Sequence, residues 1–377
     1  MNKNFDAILG KVFITLSHKN YTDVIIVFFA GRKSCIVQII LMKKTSCFNS
    51  PYKLFVFFYI LFFMRDYKSF AQKIISSGEF SGSVLLDEPM ARHTTFKIGG
   101  AVPVFFEPEN TGSLMVLLAA LESEKISSFI LGGGSNVVFC DSGFEGAVVS
   151  LLKINALKIS SVKDDDVVVS AEAGATMSSF VNFCTENGFS GAEKFAGLPG
   201  TVGGALFMNA RCFDLSICEL FVEARYIDLE SLTEHRKVFS PAEWDYKVSP
   251  FQNGKMLLLS AAFRLRKNIR SKEDIKTENK KYIEERKSKG HFDFPSAGSV
   301  FRNNRGFGAP SGKIIDECGL RGKQIGMAQI APFHGNFIIN LGGATQKDVK
   351  ALVEFTVKEV KAKTGFCLQP EIIFVDK

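Results

Sequence analysis

The amino-acid sequence predicts a protein of mixed α and β structure with more than one domain. Apolar strands alternate with helical stretches from residue 64 onward, a pattern that favours neither a helical bundle nor a β-sandwich. The chain has 377 residues, and a single domain usually has roughly 100 to 200, so two or three domains are expected. Two glycine-rich segments, residues 132–134 and 197–204, indicate loops in which the backbone approaches a ligand closely.

Residues 1–63 differ from the rest of the chain in composition. They hold ten of the 37 phenylalanines and, with eight Lys/Arg against two Asp/Glu, carry +6 of the net charge of +7. Their apolar run at 54–63 is about ten residues long, whereas a bilayer span needs roughly 20, and no small-residue cleavage site follows it. A second apolar run, Val24–Ala30, is interrupted by Gly31. We expect this leader to lie outside the functional fold, with Met64 as the start; a membrane anchor is the weaker alternative.

Charge and cysteine usage exclude several classes of function. The 314 residues after the leader carry a net charge of only +1, so no nucleic-acid-binding surface is expected. No membrane association is expected for residues 64–377. The eight cysteines form no CxxC pair and do not cluster with the five histidines, which indicates neither a metal site nor a disulfide framework. Free thiols fit a reducing compartment, so we expect a cytoplasmic protein. The sequence carries no signal for an oligomeric state.

The elements between residues 64 and 265 follow from periodicity and from boundary residues. Leucines and alanines at helical spacing indicate the first helix, and runs of valine, leucine and isoleucine indicate the strands. A glycine at position 188 ends the second helix. In chain order we expect a helix at 114–121, a strand at 127–131, a strand at 167–174, a helix at 177–187, a hairpin with arms 219–227 and 236–239, and a strand at 256–265.

A segment of high charge density, residues 266–290, separates these elements from a smaller unit. It has few apolar side chains and is expected to form a linker and a largely solvated helix without a catalytic role. The unit after it is predicted to be a second α/β domain. Its elements are a helix at 313–318, a strand at 337–340, a helix at 346–363 and a last strand at 372–375.

The two glycine segments suggest a long nucleotide ligand. Successive amides in a loop such as Gly132-Gly133-Gly134-Ser135-Asn136 form a cationic hollow that suits a diphosphate, although a turn between two strands explains this segment alone equally well. The second segment favours a ligand such as FAD, which needs separate close approaches to its diphosphate, ribityl chain and ring. The Rossmann spacing of GxGxxG with an acidic residue about twenty positions later is absent.

Eight motifs occur in order between residues 85 and 377. They are His93–Gly100, Leu131–Phe139, Gly174–Ala175, Gly197–Asn209, Tyr246–Phe251, Pro295–Asn303, Gly312–Gly322 and Gln369–Glu371. Together they resemble the MurB family of UDP-N-acetylenolpyruvoylglucosamine reductases, flavoenzymes of bacterial cell-wall synthesis. No long insertion with an extra tyrosine loop stands between Leu265 and Ser299, so the chain resembles the shorter of the two family types.

The resemblance implies an α+β fold in three parts. These are a two-part FAD-binding region of the vanillyl-alcohol-oxidase or PCMH type, at 64–145 and 146–267, and a C-terminal α/β substrate-binding domain at 268–377, whose last strand returns to the active site. FAD is bound noncovalently in this family. By resemblance the residues that bind it are Thr95, Gly132, Gly133, Gly134, Ser135, Asn136, Gly174, Gly197, Pro199, Gly200, Thr201, Gly203, Gly204 and Asn209.

The resemblance also implies the reaction. NADPH passes a hydride to the flavin, and the flavin delivers it to the enolpyruvyl double bond of a UDP-sugar, which becomes UDP-N-acetylmuramate. Such an addition needs groups that stabilise negative charge on the substrate carboxylate and an acid at the neighbouring carbon. Ser299 holds the place of the family's proton donor and Glu371 that of its second catalytic group. Asn303, His334 and Lys287 are candidate substrate contacts, with Lys289 beside the last of these.

Two positions depart from the family pattern. Lys247 stands where the family usually has the third catalytic group, an arginine; it keeps the charge but lacks the planar fork that grips a carboxylate. We therefore expect weaker polarisation of the substrate, or a shifted substrate carboxylate, rather than loss of activity. Residues 209–214 read Asn-Ala-Arg-Cys-Phe-Asp where the family commonly has Asn-Ala-Gly-Ala-Tyr-Gly. Either Arg211 and Asp214 tolerate this backbone or the loop has another shape.

Two other functions are compatible with these residues. One is a flavin oxidase or dehydrogenase of the same fold with a different substrate, and retention of Ser299 and Glu371 argues against it. The other is a nonenzymatic nucleotide-binding relative of the reductases. The departures from the family pattern at Lys247 and Arg211 leave this alternative compatible with the sequence.

Overall fold

The computed structural model describes residues 66–376 and three segments of the leader. Those segments, β1 (Lys11–His18), β2 (Tyr21–Gly31) and β3 (Ser34–Ile40), form an antiparallel sheet in the order β1-β2-β3. The apolar run at 54–63 lies outside the described residues, and the exclusion of the leader from the functional fold stays a prediction. The chain divides into two units, residues 1–65 and 66–377, and the second carries everything described below.

The first part of this unit is a four-stranded mixed sheet with helices beside it. Asp66 and Asn110 cap the two helices, because their side chains accept hydrogen bonds from the backbone N–H of Ser69 and Ser113. The strand order is β4-β5-β8-β6, and β8 runs parallel to both of its neighbours. The elements are α1 (Tyr67–Ser76), β4 (Gly82–Pro89), β5 (Ala101–Pro108), α2 (Thr111–Ser123), β6 (Ser128–Leu131), β7 (Val137–Phe139) and β8 (Ala147–Ser150).

The second part is built on a five-stranded antiparallel sheet in the order β14-β13-β15-β10-β9. The central strand β15 is buried along most of its length and pairs with β13 on one side and β10 on the other. The predicted hairpin and long strand are confirmed in β13, β14 and β15. The elements are β9 (Leu157–Lys163), β10 (Asp166–Glu172), α3 (Met177–Glu186), α4 (Val202–Phe207), β11 (Arg211–Cys212), β12 (Leu215–Ser216), β13 (Phe221–Asp228), β14 (Thr233–Val238) and β15 (Met256–Arg266).

The charged helix α5 (Lys272–Ser288) packs against this second part. The side chain of Asn279 donates a hydrogen bond to the hydroxyl of Thr185 at 2.7 Å, and Nε of Arg286 donates to the carbonyl of Ala196 at 3.0 Å. The expected solvated helix is therefore solvated on one face only. These contacts favour a start of the third domain after α5 rather than at residue 268.

The third part is a small antiparallel sheet, in the order β16-β19-β18-β17, with two helices. Thr345 and Asp348 form a capping box at the start of the longer helix, and Gly365 ends it with φ of +77°. The elements are β16 (Ser296–Ser299), α6 (Ser311–Glu317), β17 (Gln324–Ile325), β18 (Ala328–Ile330), β19 (Phe337–Asn340), α7 (Gln346–Thr364) and β20 (Ile373–Val375).

The last strand, β20, leaves the third part and pairs in parallel with β7 of the first. The side chain of Gln346 joins both strands, since its Nε2 donates to the carbonyls of Val138 at 2.9 Å and Val375 at 3.1 Å. Phe96, Ile98 and Val138 of the first part belong to the apolar core of the third. The mixed α and β architecture predicted from the sequence is confirmed, and the third part is fixed to the first through a shared core. In residues 66–376 no helix is both long and apolar enough to cross a membrane.

Candidate active site

A cavity of about 1330 Å³ lies where the three parts meet. Both glycine segments and β16 contribute to its wall, together with the last turn of α5 and residues at the start of β20. Pockets for small molecules usually have roughly 300 to 1,000 Å³. The volume is therefore sufficient for a dinucleotide and part of a second ligand.

The two glycine segments pack directly against each other in the wall of this cavity. A Cβ atom built on Gly133 would lie 2.6 Å from Cα of Gly200, and one built on Gly132 would lie 2.6 Å from Oγ1 of Thr201. Gly200 also has φ of +104°, where other residues are strained. Contact between the loops therefore requires glycine at these positions.

The first glycine segment has the features of an anion site. The backbone N–H groups of Gly133, Gly134 and Ser135 make no hydrogen bond to any group of residues 66–376, and all three residues line the cavity. Neighbouring unpaired amides attract an anion such as a diphosphate. This arrangement and the cavity volume together fit FAD, the cofactor that the sequence implies.

Most residues predicted to bind the cofactor line the cavity, with two exceptions. Gly174 lies beneath the wall, where a Cβ atom would meet the carbonyl oxygen of Leu151 at 1.7 Å. Asn209 is buried; its amide donates to the carbonyl of Asp245 at 2.8 Å and accepts from the N–H of Cys218 at 3.4 Å. The predicted cofactor contacts of Gly174 and Asn209 are not supported, because both residues are used in packing the framework.

Thr95 connects the first glycine segment to β16. Its N–H donates to the carbonyl of Gly134 at 3.1 Å, and its hydroxyl donates to the carbonyl of Ser296 at 2.7 Å. Thr95, a predicted cofactor contact, lines the cavity. Its hydroxyl hydrogen, however, is used in the hydrogen bond to Ser296, which joins the first and third parts of the fold.

Ser299 lies at the end of β16, directly after an irregularity in the sheet. Ser296 pairs with Ile339 and Ser299 pairs with Phe337, so β16 has one more residue than β19 over this stretch. Gly298, with φ of +71°, occupies the bulge. Bulges re-aim side chains next to active sites, and Ser299 lines the cavity.

Glu371 is tied to the segment that follows Ser299, because the residues before β20 are hydrogen-bonded between two loops. The N–H of Glu371 donates to the carbonyl of Val300 at 2.7 Å, while its own carbonyl accepts from Nδ2 of Asn136 at 3.2 Å. The first bond ties Glu371 to the residue after Ser299, and the second ties it to the first glycine segment. The Glu371 side chain lines the cavity and the residue is only 8% exposed.

Lys247 completes the group of predicted catalytic residues. Its Nζ lies 2.5 Å from Oε1 of Glu371, and the two side chains are 14% and 7% exposed. The backbone of Lys247 has φ of +60°, a strained conformation for a residue with a side chain. The side-chain amide of Gln252 donates a hydrogen bond to the carbonyl of Lys247 at 3.2 Å. The three predicted catalytic residues thus meet in one cavity.

The segment at 209–214 forms a tight hairpin of β11 and β12. Two residues of this segment have positive φ, Asn209 at +41° and Phe213 at +56°, whereas Arg211 and Asp214 do not. Arg211 donates to the hydroxyl of Ser216 at 3.0 Å, and Asp214 lies 2.5 Å from Nζ of Lys194. The chain therefore accommodates the missing glycines by straining Phe213, whose ring lines the cavity.

The cations near the end of α5 differ in position. Lys287 does not line the cavity, and its Nζ lies 3.0 Å from Oε1 of Glu284 on the exposed side of the helix. Lys289 does line the cavity, paired with Glu285 at 2.5 Å. The structure does not support the predicted substrate contact of Lys287 and favours Lys289 in its place.

Arg286 is a cavity residue that the sequence did not reveal. Its guanidinium donates to the carbonyls of Ala196 at 3.0 Å and Lys194 at 3.5 Å and lies 5.3 Å from the centre of the Phe213 ring, and it has no carboxylate partner in residues 66–376. In sequence it belongs to the charged run of α5, where nothing distinguishes it from its solvated neighbours.

Two histidines line the cavity near β19, and both are neutral at physiological pH. Burial lowers the pKa of His334, whose Nδ1 accepts a hydrogen bond from the N–H of Asn336 at 3.1 Å, so the proton is on Nε2. Burial, and next the neighbouring His334, lower the pKa of His291 to about 4. His334 lines the cavity, and its predicted contact with the substrate stays a prediction. Asn303, also predicted, lines the cavity while its Oδ1 accepts from the N–H of Ser311.

The described residues include no group of three or more His, Cys, Asp or Glu side chains that could hold a metal ion. The chemistry of the cavity is that of an anion-binding loop, a hydroxyl, a carboxylate and an ammonium group. This set suits the reduction of an anionic substrate by a bound flavin.

Two family models match the chain. One, described as the C-terminal domain of UDP-N-acetylenolpyruvoylglucosamine reductase, matches residues 290–375, and the other, an FAD binding domain, matches residues 102–229. The first begins after α5, which agrees with the packing of that helix on the second part. The prediction of an FAD-binding region followed by the C-terminal domain of this family is confirmed, while the bounds of the domains and the substrate-binding role of the last one stay predictions.

Curated relatives and a solved structure agree with these matches. A UDP-N-acetylenolpyruvoylglucosamine reductase of Treponema denticola is 43% identical over 306 residues, covering 78% of this chain and 94% of the relative. The enzyme of that name from Treponema pallidum is 38% identical, covering 76% and 92%. The crystal structure of UDP-N-acetylenolpyruvylglucosamine reductase from Thermus caldophilus is similar with a TM-score of 0.63 at 26% identity, covering 78% of this chain and 99% of that one.

Proposed function

Because this chain belongs to the UDP-N-acetylenolpyruvoylglucosamine reductase family, we propose that it reduces UDP-N-acetylglucosamine enolpyruvate to UDP-N-acetylmuramate with FAD as its cofactor and NADPH as hydride donor. The reaction serves the synthesis of peptidoglycan precursors. The partners are two nucleotides, the UDP-sugar and NADPH. The free state of the described cysteines supports the reducing, cytoplasmic location expected from the sequence.

One observation carries the proposal: Ser299 and Glu371 line the same cavity, whose wall holds both glycine segments. Val300 links them, since it follows Ser299 in sequence and its carbonyl accepts from the N–H of Glu371 at 2.7 Å. A proton donor and a charge-stabilising pair thus share the cavity that fits a dinucleotide.

The residues that would hold FAD are those of the two glycine segments. The free amides of Gly133, Gly134 and Ser135 suit its diphosphate, and Gly200 and Thr201 bring the second segment against the first. When bound, FAD supplies the hydride-transfer chemistry that no amino-acid side chain provides.

Ser299 is proposed as the proton donor to the carbon next to the one that receives the hydride. A hydroxyl is a weak acid, but the carbanion-like centre that hydride addition creates is a far stronger base. The bulge at Gly298 presents the Ser299 side chain to the cavity rather than to the sheet. A positioned acid of this kind contributes typically about 10² to 10⁴ in rate.

Lys247 and Glu371 are proposed to stabilise the negative charge that develops on the substrate carboxylate. Preorganised polar groups in a water-poor site do this without reorganising during the reaction. The ammonium group of Lys247 is a point charge, whereas a guanidinium would hold both carboxylate oxygens at once. The proposed contact is therefore a single charge-assisted hydrogen bond from Lys247 that Glu371 orients.

The test is a pair of half-reactions followed by flavin absorbance. Full-length protein with its FAD is mixed without oxygen, first with NADPH and then with the enolpyruvyl sugar nucleotide. Bleaching followed by reoxidation is expected; bleaching alone would point to another flavin dehydrogenase, and a colourless protein that binds nucleotides would point to a nonenzymatic relative.

Ser299→Ala extends this test to the proton donor. The variant is expected to bleach with NADPH at the wild-type rate but to reoxidise with the sugar nucleotide at least about 10²-fold more slowly. Ser296→Ala is the matched control, since Ser296 lies on the same strand and also lines the cavity. Equal loss in both variants would remove the assignment of Ser299.

A further inference from the structure

The strand that carries Ser299 loses its sheet partner just where the catalytic residues meet. β16 and β19 are paired up to Ser299 and Phe337, and β19 begins at Phe337. The next two residues of the β16 side, Val300 and Phe301, are 1% and 2% exposed. Their backbone groups must therefore find partners inside the protein, since an unpaired buried N–H or C=O is costly.

Asn336 supplies those partners with its backbone and side chain together. Its carbonyl accepts from the N–H of Val300 at 2.9 Å, and its Oδ1 accepts from the N–H of Phe301 at 2.8 Å. Its Nδ2 donates to the carbonyl of Phe301 at 2.8 Å. The side-chain amide thus makes the pair of bonds that a neighbouring strand would make.

The opposite edge of the same short segment is paired with the residues around Glu371. The carbonyl of Val300 accepts from Glu371, and the N–H of Arg302 donates to the carbonyl of Gln369 at 2.9 Å. Val300 is therefore held by Asn336 on one side and by Glu371 on the other. The backbone of Ser299 is therefore tied to that of Glu371 through Val300.

We propose that Asn336 is a positioning residue that fixes Ser299 against Glu371, and that it acts in proton delivery to the substrate and not in reduction of the flavin. The inference rests on the proposed function of the cavity. Asn336 is 4% exposed and is absent from the cavity wall, so it does not touch a ligand there. Its effect reaches the reaction through the backbone of Val300 and Phe301.

A second asparagine provides a matched comparison, since Asn336 directly precedes β19 and Asn340 is the last residue of that strand. Asn340, at the other end of β19, is 5% exposed; its Nδ2 donates to the carbonyl of Phe96 at 3.0 Å and its Oδ1 accepts from the N–H groups of Gly342 and Ala344. It is about as buried as Asn336 and has three side-chain hydrogen bonds where Asn336 has two. None of them reaches Ser299 or Glu371.

The test compares Asn336→Asp with Asn340→Asp in the two half-reactions of the full-length flavoprotein. Asn336→Asp keeps the acceptor for Phe301 N–H but places a carboxylate oxygen against the Phe301 carbonyl. Bleaching by NADPH is expected within about twofold of wild type. Reoxidation by the enolpyruvyl sugar nucleotide is expected to slow by about 10- to 100-fold, since displacements near 1 Å can cost that much. Asn340→Asp is expected to change both half-reactions by the same factor.

Two further measurements separate positioning from a general loss of structure. The solvent deuterium isotope effect on reoxidation is expected to increase in Asn336→Asp and to stay unchanged in Asn340→Asp, because only proton delivery is impaired. The melting temperatures of both variants measure directly how much stability each substitution removes. If Asn336→Asp does not fold, Asn336→Ser, which removes both side-chain bonds without adding a charge, replaces it.

The results that would overturn this inference differ from those that would overturn the proposed function. If wild-type protein is bleached but not reoxidised by the sugar nucleotide, the proposed function is wrong. If wild type completes both steps but Asn336 variants slow both equally, or neither, Asn336 has no special place in proton delivery and the inference is overturned.

Discussion

Nζ of Lys247 lies 2.5 Å from Oε1 of Glu371 in a largely buried ion pair that joins the second part of the described fold to the C-terminal segment. The lysine comes from a strained turn with φ of +60° and the glutamate from the segment before β20. Neither side chain has another ion-pair partner in residues 66–376. Each charge is therefore balanced only by the other until a substrate enters.

Lys247→Met should be destabilising and nearly inactive. The change keeps the apolar stem of the side chain but leaves the Glu371 carboxylate buried and unpaired. Breaking a buried pair in this way typically costs about 3 to 5 kcal/mol, and loss of the positive group should lower kcat/KM by about 10²-fold or more. Urea unfolding and steady-state kinetics measure the two effects.

Lys237→Met is the control for that variant. Lys237 pairs with Glu243 at 2.6 Å, a similar distance, but its carboxylate partner is 38% exposed. Such a pair contributes at most about 1 kcal/mol. Equal stability of the two methionine variants would show that burial of the Lys247 pair has no energetic consequence.

Lys247→Arg should retain activity. Arginine restores the residue usual in the family and adds a second hydrogen-bond donor for the substrate carboxylate. We expect kcat equal to or up to about tenfold above that of the wild type, within the range of one added charge-assisted bond. A large drop in turnover would show instead that the turn with positive φ and the Glu371 contact are adapted to lysine.

Gly133→Ala should separate the two glycine segments. Its Cβ would meet the backbone of Gly200 at 2.6 Å, where no side chain can move aside. We expect a loss of stability of about 1 to 3 kcal/mol and release of FAD during gel filtration. In Gly204→Ala the new Cβ would be 3.4 Å from Oγ1 of Thr201, an ordinary contact, so the apoprotein should keep its melting temperature. Equal melting temperatures for both variants would contradict the packing of the loops.

Lys289→Ala and Lys287→Ala should differ in their effect on substrate binding. Lys289 lines the cavity and Lys287 faces away from it. Removing a partly exposed cation that contacts a phosphate should raise KM for the sugar nucleotide up to about tenfold, since tenfold is about 1.4 kcal/mol. Lys287→Ala should leave KM within about twofold. A larger increase in KM for Lys287→Ala than for Lys289→Ala would restore the assignment of Lys287 as the substrate contact.

The helices and strands that the sequence predicted in residues 66–376 lie close to their expected bounds because local rules determine them, although α1, β4, β5, β8 and β9 were not predicted. Thr345 with Asp348 begins α7, and Gly365 ends it, as their residue types indicate. The grouping of Ser299, Glu371 and Lys247 also followed from the motifs. Their mutual distances did not, because these depend on the parallel pairing of β20 with β7, which no local pattern encodes.

Three features escaped prediction for physical reasons. The charged helix α5 is attached through Asn279 and Thr185, polar residues that give no apolar periodicity. Which lysine reaches the cavity depends on where α5 ends, since Lys289 lies past the last helical residue. The strain at Phe213 arises from hairpin closure between β11 and β12 and cannot be read from a residue type that usually avoids positive φ.

The stability of the protein should decrease in mild acid partly because of His291. Burial, and then the charges and dipoles of His334, Arg286 and Lys289, lower its pKa from 6.5 to about 4, with Glu285 acting weakly in the opposite direction. Between these two values the unfolded chain binds a proton that the folded chain does not. The folding stability that the lowered pKa of His291 contributes is therefore complete above pH 6.5 and is lost as the pH falls toward about 4.

Replacing His291 by glutamine should remove that part of the pH dependence. We expect the difference in unfolding free energy between about pH 7 and about pH 5 to be smaller in His291→Gln by about 1 kcal/mol, a value reduced for the partial exposure of the ring. His235→Gln, at an exposed position of β14, should keep the wild-type profile. Urea titrations of the three proteins at both pH values measure this. An unchanged profile in His291→Gln would mean that the ring gains a proton in the folded state without cost, through a rearrangement that exposes it to the cavity.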